Sequence, residues 1–237
     1  MKSLIIGSGE VGKSLYEVLE RVYKKDINIR DVETPERQLE GVKVLNICYP
    51  YSGSFVANTE AYIEQYKPNF TIIHSTVPVG TTRKLGKLCV HSPIHGKHPN
   101  LVGGIRTFVK YVGSEKNSIG YMARCYLEKA GITTKGVSSP EASEMSKILC
   151  TTYYGWNIVF AKEVKAICDE YGLDFKEVYT GWNNFYNQGY SELGMSQFVR
   201  PVLEPIEGAI GGHCIVNNSK LLDSFVTNLI RERDKEY

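Results

Sequence analysis

A chain of 237 residues with 28 basic side chains, 26 acidic ones and a net charge of +2 has room for one large domain or two modest ones. The basic residues are spread along the chain instead of forming a nucleic-acid footprint, and the run Arg231-Glu232-Arg233-Asp234-Lys235-Glu236 mixes signs like a solvated helix end. No apolar stretch has the length of a membrane span and Met1-Lys2 carries no signal-peptide pattern, so a cytoplasmic protein is expected.

Short apolar runs at 3–6, 27–31, 42–48, 70–74, 88–91, 108–112 and 133–137 predict strands. Amphipathic segments at 11–23, 55–65 and 118–130 predict helices between them. Strands alternating with helices imply βαβ units and a mostly parallel sheet covered on both faces. Right-handed crossovers then gather the loops after the strands along one ligand-binding edge. From Ser139 the texture changes. Ser139 suits a helix N-cap and Pro140 its first turn. Met145, Ile148, Leu149, Tyr153, Trp156, Val159, Phe160, Val164 and Ile167 recur at helical steps, with Gly155 as the one breaker before Gly172. A helix of about 30 residues is ~45 Å long, enough to bridge two domains or two subunits. A further helical segment is expected at 174–182. The Gly-, Asn-, Tyr- and Pro-rich stretch 183–212 reads as a functional loop, and a helix over 219–233 closes the chain.

The first strand runs into Gly7-Ser8-Gly9-Glu10-Val11-Gly12, which opens the first helix. A lone G-x-G-x-x-G is a weak signal, but strand before and helix after is the context its mechanism requires. Gly7 permits the tight turn, Gly9 lets the backbone approach a pyrophosphate, and Gly12 lets the helix pack close to the sheet. The helix N-terminus offers N–H groups and a positive dipole end to the phosphates. Asp31, ending the second strand, can bind the ribose hydroxyls of NAD, while the adjacent Arg30 keeps NADP open. The expected cofactor is NAD. Its expected contacts are Gly7, Gly9, Glu10, Val11, Gly12 and Asp31, with Tyr49, Pro50, Ser75 and Thr76 after the third and fourth strands. The bland alternative is a glycine turn without a ligand. The fold class is α/β: a Rossmann-type, doubly wound, mostly parallel sheet over 1–137, followed by an all-helical domain with a long central helix over 138–237.

The six cysteines show no C-x-x-C spacing, so free thiols and no metal site are expected. Five of them read as packing residues. Cys214, in Gly211-Gly212-His213-Cys214-Ile215, is flanked unlike a core residue. His91, His95 and His98 follow the fifth strand; His95 and His98 are acid–base groups or anion ligands, or else plain surface-loop histidines. The aromatic segment from Trp182 to Tyr190 lines a substrate pocket or packs the helical domain.

Two segments, His74-Ser75-Thr76-Val77-Pro78-Val79-Gly80-Thr81-Thr82 and Gly211-Gly212-His213-Cys214-Ile215, together with the glycine turn and the Lys147 helix, resemble the UDP-glucose/GDP-mannose dehydrogenase family. The G-G-H-C-I form looks most like the branch acting on UDP-N-acetyl-hexosamines. The resemblance implies an NAD-dependent oxidoreductase acting on a CH–OH group. It makes Cys214 the nucleophile that captures an aldehyde as a thiohemiacetal. It makes Lys147 the oxyanion stabiliser, with Glu144 one turn earlier to pair with or orient it, and Thr76 the residue that positions a water or substrate oxygen. His95, His98, Thr151 and Asn218 are the expected substrate contacts. The chain departs from the family pattern in places. Ile94 stands where the family has glutamate, Thr151 where it has asparagine, and Asn218 where it has aspartate. The chain also stops where the family continues into a second Rossmann-like domain that helps bind UDP, so a truncated, divergent member is expected.

These departures tilt the expectation toward an atypical polar or sugar-like substrate, or a two-electron reaction. The alternatives are a β-hydroxyacid-dehydrogenase-like enzyme that makes no use of Cys214 and a non-catalytic NAD-binding regulatory protein. The expected partners are a small-molecule substrate and a second copy of the chain, joined through the long helix 140–171, with no nucleic acid and no membrane.

Overall fold

The computed structural model describes residues 1–31, 39–211 and 213–237, with His213 described by its backbone alone. The described chain divides into two compact units, Met1–Lys147 and Ile148–Tyr237.

In the first unit, strands β1 (Ser3–Ile6), β2 (Ile27–Arg30), β3 (Val44–Ile47), β4 (Phe70–Ile73), β5 (Cys89–His91), β6 (Lys110–Ser114) and β7 (Thr134–Val137) form one sheet in the order β2-β1-β3-β4-β5-β6-β7. Every neighbouring pair is parallel except β5 and β6. Each of these strands falls within two residues of a predicted apolar run. The order reverses between β1 and β3, and the crevice beyond the carboxyl ends at such a switch point is where open α/β sheets bind ligands.

Side chains alternate across the sheet with the period of two that a pleated strand dictates. Ile5, Val44, Phe70 and Ile72 join one buried cluster, and Leu4, Ile6, Leu45, Ile47 and Ile73 join the other. Helix α1 (Glu10–Tyr23) buries Leu15, Val18, Leu19 and Tyr23 at helical spacing on the first face. Helix α2 (Phe55–Tyr66) brings Phe55 and Tyr62 to the second. Two further helices are short: α3 (Thr81–Lys84), which starts within the 74–82 segment, and α4 (Leu101–Thr107), which was not foreseen. Helix α5 (Asn117–Lys129) covers the first face beside α4 through Ile119, Ala123 and Leu127.

The long helix α6 (Pro140–Tyr171) runs for 32 residues, and the boundary between the two units falls within it. Ser139 Oγ accepts from the Ala142 amide at 3.1 Å and caps it as expected. In the second unit Gly155 has a packing reason. A Cβ there would lie 2.7 Å from Ile215 Cγ2 and 2.7 Å from Ile230 Cδ1, so the glycine lets α8 (His213–Ser219) and α9 (Phe225–Glu236) close onto α6. Val159, Ile210 and the fully buried Ile230 form the core there, with Trp156 and Ile215 against them.

Three expectations need correction. The stretch 183–212 is not all loop: α7 (Trp182–Glu192) continues from a π-helical turn at Lys176–Gly181. Local i,i+4 contacts hold it. Asn183 Nδ2 donates to Tyr179 O at 2.7 Å, and the Tyr186 and Tyr190 rings lie 4.7 Å apart. The closing helix is two helices, because Ser224 Oγ accepts from the Thr227 amide and starts α9 afresh. Of the five cysteines assigned to packing, Cys48, Cys89 and Cys168 are buried but Cys125 and Cys150 are exposed on helices α5 and α6.

Candidate cofactor and active site

The turn after β1 is built by backbone constraints. Gly7 sits at φ +104°, and a Cβ there would come within 2.8 Å of Tyr49 N and 2.9 Å of Cys48 C. A Cβ on Gly12 would lie 1.8 Å from Gly7 O. Gly9 differs: its backbone is extended, at φ −68°, and among the described residues nothing lies within 4 Å of where a Cβ would stand. Packing among the described residues gives no reason for glycine there. An approaching pyrophosphate does, and this is the observation by which the turn fits a dinucleotide. Glu10, Val11 and Gly12 follow as the first residues of α1, whose leading amides have no partner inside the helix.

Asp31 follows β2 and accepts a short hydrogen bond from Ser8 Oγ, which places its carboxylate beside the turn. Arg30 faces elsewhere. It donates to Tyr66 Oη at 2.8 Å and stacks over the Tyr62 ring. Tyr49 contributes backbone: its ring is buried, its Oη lies 2.5 Å from Thr59 Oγ1, and its carbonyl accepts from Ser75 Oγ at 2.5 Å. Pro50 is exposed, Ser75 is buried and Thr76 is half-buried beside it.

The strand ends around β4 and β5 are locked by buried polar groups. His91 Nε2 donates to the Ser75 carbonyl at 3.1 Å, which leaves Nδ1 to accept from Ser143 Oγ at 2.9 Å. Burial above all, with the nearby Lys110 and Lys147 charges, pulls its pKa down to about 3. His91 is therefore a neutral structural link from the 75–82 loop to α6. Both oxygens of Glu144, expected beside Lys147, are taken by the Gly80 amide at 2.6 Å and the Thr82 amide at 2.8 Å, so this buried carboxylate fixes the start of α3. Burial raises its pKa, against the pull of those hydrogen bonds.

The residue that sequence reasoning missed is Lys110. It is buried, and its Nζ donates to Ser92 O at 2.5 Å and Pro93 O at 3.0 Å. Burial, reinforced by Lys147, lowers its pKa to about 7. Lys147 Nζ donates to Ile94 O at 2.8 Å. Three successive carbonyls, at 92, 93 and 94, thus face two lysine ammoniums. The signal was present in the strand pattern: Lys110 shares its face of β6 with buried Val112, while Tyr111 between them is exposed.

The histidines of the next loop separate. His95 is half-buried, and burial together with Lys147 and Lys110 pulls its pKa down to about 4, so it is neutral near pH 7. His98 is exposed and its Nδ1 lies 2.5 Å from Glu10 Oε2, at the glycine turn.

In the second unit Cys214 is exposed in the first turn of α8; Gly212 lies outside the described residues. Thr151 and Asn218 come together: Asn218 Nδ2 donates to Thr151 Oγ1 at 3.3 Å, and Thr151 Oγ1 donates to Ile148 O at 2.8 Å. The stretch before α8 is anchored by Lys162, whose Nζ donates to Ile206 O and to Gly208 O, and by Asp234, which accepts from the Ile210 amide at 2.8 Å. An open groove of about 450 Å³ on this unit is lined by Leu149, Tyr153, Trp156, Phe160 and Val226. Among the described residues no group of His, Cys, Asp and Glu could hold a metal ion, and no helix is long and apolar enough to cross a membrane.

A doubly wound sheet with this turn, followed by a long-helix unit, is the fold of the nucleotide-dependent dehydrogenases. Residues 141–231, which include Lys147, Thr151, Cys214 and Asn218, match the model of the UDP-glucose/GDP-mannose dehydrogenase family, central domain. It is 25% identical over 215 residues to the UDP-N-acetyl-D-mannosamine dehydrogenase of Methanocaldococcus jannaschii, across 87% of this chain and 46% of that protein. It therefore spans about half the length of the curated relative it matches. Among solved structures it resembles UDP-D-ManNAc dehydrogenase from Pyrococcus horikoshii, with a TM-score of 0.74 and 18% identity over 99% of this chain and 68% of that one. It also resembles 3-hydroxyisobutyrate dehydrogenase from Mycobacterium tuberculosis, with a TM-score of 0.70 and 14% identity over 100% of this chain and 93% of that one.

Proposed function

We propose that the chain is an NAD-dependent oxidoreductase that oxidises a CH–OH group of a sugar-like or other polar small molecule. The open Gly9, inside a turn whose other glycines are fixed by backbone contacts, carries this reading. The amides of 10–12 hold the pyrophosphate and Asp31 holds the ribose hydroxyls. The engagement of Arg30 by Tyr62 and Tyr66 favours NAD over NADP. The cofactor, when bound, accepts hydride from the alcohol carbon.

The chain's own residues have four proposed tasks. Lys147, its ammonium anchored to Ile94 O, stabilises the oxyanion. Thr76, next to the Ser75 locked by His91, positions the substrate oxygen. His95, neutral near pH 7, and the Thr151–Asn218 pair are substrate contacts. Cys214 is the nucleophile: its thiolate adds to the carbonyl carbon of an aldehyde, whose oxygen takes up a proton to give the thiohemiacetal.

A second copy covers the apolar side of α6, where Tyr153 is 65% and Phe160 61% exposed beside the 450 Å³ groove. Phe160→Asp is then expected to turn a dimer into a monomer in light scattering.

The reading is tested by titrating the protein with NADH and NADPH, then supplying NAD with a panel of alcohols and nucleotide sugars and following NADH absorbance. NADH binding with turnover supports it. Binding of neither dinucleotide sinks it. The second reading is a two-electron enzyme like the β-hydroxyacid dehydrogenases; Ile94 and Asn218, standing where the nucleotide-sugar family has glutamate and aspartate, favour it. Cys214→Ser separates the two: unchanged NADH yield per substrate rules out the thiohemiacetal route.

A further inference from the structure

The loop 95–100 belongs to the cofactor side of the first unit. It leads into α4, whose Leu101 and Ile105 pack into the same core as Leu15 of α1. Two glycines allow close approach: a Cβ on Gly104 would lie 2.5 Å from His95 O and 2.6 Å from Gly96 Cα. From that loop His98 reaches the first residue of α1, with Nδ1 2.5 Å from Glu10 Oε2 and both side chains partly exposed.

Glu10 is an awkward residue for a phosphate-binding turn. Its carboxylate suits the helix dipole, but it stands where the phosphates of a dinucleotide must also come, and like charges repel. A histidine donating to that carboxylate holds it in one place and ties the 95–100 loop to the turn at the same time.

We propose that His98 is a positioning residue of the cofactor site, which holds the Glu10 carboxylate through a hydrogen bond and straps the 95–100 loop beside the glycine turn. This rests on the NAD reading above, and it moves His98 from the substrate contacts to the cofactor contacts.

The test is NADH affinity, measured by fluorescence or calorimetry on the full chain, for the wild type, His98→Gln, Glu10→Gln, the double variant and His98→Arg. Thermal melts check that each variant is folded. Both side chains are partly exposed, so all variants are expected to melt close to the wild type. His98→Gln should weaken NADH about two- to fivefold. Glu10→Gln/His98→Gln should return to within about twofold of the wild type, because the carboxylate that must be held away from the phosphates is gone. His98→Arg, which keeps a hydrogen-bond donor over Glu10, should also stay within about twofold. The proposal is overturned if the wild type binds NADH and His98→Gln binds equally well, or if the double variant is as weak as His98→Gln. A wild type that binds no dinucleotide overturns the NAD reading itself, and the proposal with it.

Discussion

Gly12 in the first unit and Gly155 in the second both lie inside helices, and a Cβ on either would collide, but with different neighbours. At Gly12 the obstacle is a backbone carbonyl, Gly7 O, at 1.8 Å. At Gly155 it is the methyl groups of Ile215 and Ile230, at 2.7 Å. A carbonyl held in a strand-to-helix turn cannot retreat without undoing the turn, whereas an isoleucine can change rotamer. Gly9 completes the set, with no described residue near its Cβ position and an ordinary backbone angle. The first two positions separate what the fold needs from what packing prefers, and the third is the one proposed to serve a ligand. The turn of the first unit is fixed by backbone geometry. The helix packing at Gly155 in the second is fixed by side-chain contact, with apolar surface left on its outside.

Substitutions can break or sharpen that contrast. The largest effect is expected for Gly12→Val, which should destabilise the chain by about 3 kcal/mol or more and abolish NADH binding. Urea unfolding with a parallel NADH titration checks both; a folded, binding variant would refute the rigid-turn account.

Lys110→Met comes next and is read through pH. Burial puts the folded pKa near 7, below the ordinary lysine value, so between about pH 7 and pH 10 the unfolded chain binds more protons here than the folded one. Stability contributed at this site therefore rises with pH across that window. Removing the amine should flatten the rise by an amount on the order of a few kcal/mol. The measurement is the difference between wild-type and variant unfolding free energies at several pH values. Identical slopes would mean that Lys110 is not held as described.

Gly155→Ala should fall within about 1 kcal/mol of the wild type in the same unfolding assay. Side-chain displacement is offset by the roughly 1 kcal/mol that alanine gains over glycine in a helix. The smallest stability effect, within about 0.5 kcal/mol, is expected for Gly9→Ala, yet that variant should lose about tenfold in NADH affinity. If Gly9→Ala instead unfolds the chain or binds NADH normally, the open turn is not a ligand cradle.

Much of this molecule is written locally. Strand runs with buried faces, the G-x-G-x-x-G turn between a strand and a helix, and a Ser-Pro start followed by 3- and 4-residue spacing are short-range patterns, and the chain forms β1–β7, α1 and α6 where they fall. The end of the chain was harder to read. Tyr, Asn and Gly in 183–190 suggested a loop, but i,i+4 contacts among those same side chains make a helix.

The chemistry around the turn was decided by tertiary contacts. Nothing in the spacing of His91, His95 and His98 says that the first is buried against Ser143, the second lies half-buried near two lysines, and the third reaches Glu10. Glu144 looked like a partner for Lys147 because one helical turn separates them, but the folded chain brings the Gly80 and Thr82 amides to its carboxylate. Lys110 meets the carbonyls of 92 and 93 only because β5 and β6 run side by side. Local periodicity determines which segments become strands and helices. Which polar groups share a buried space depends on contacts between segments far apart in the chain, and burial then sets which of them carry charge.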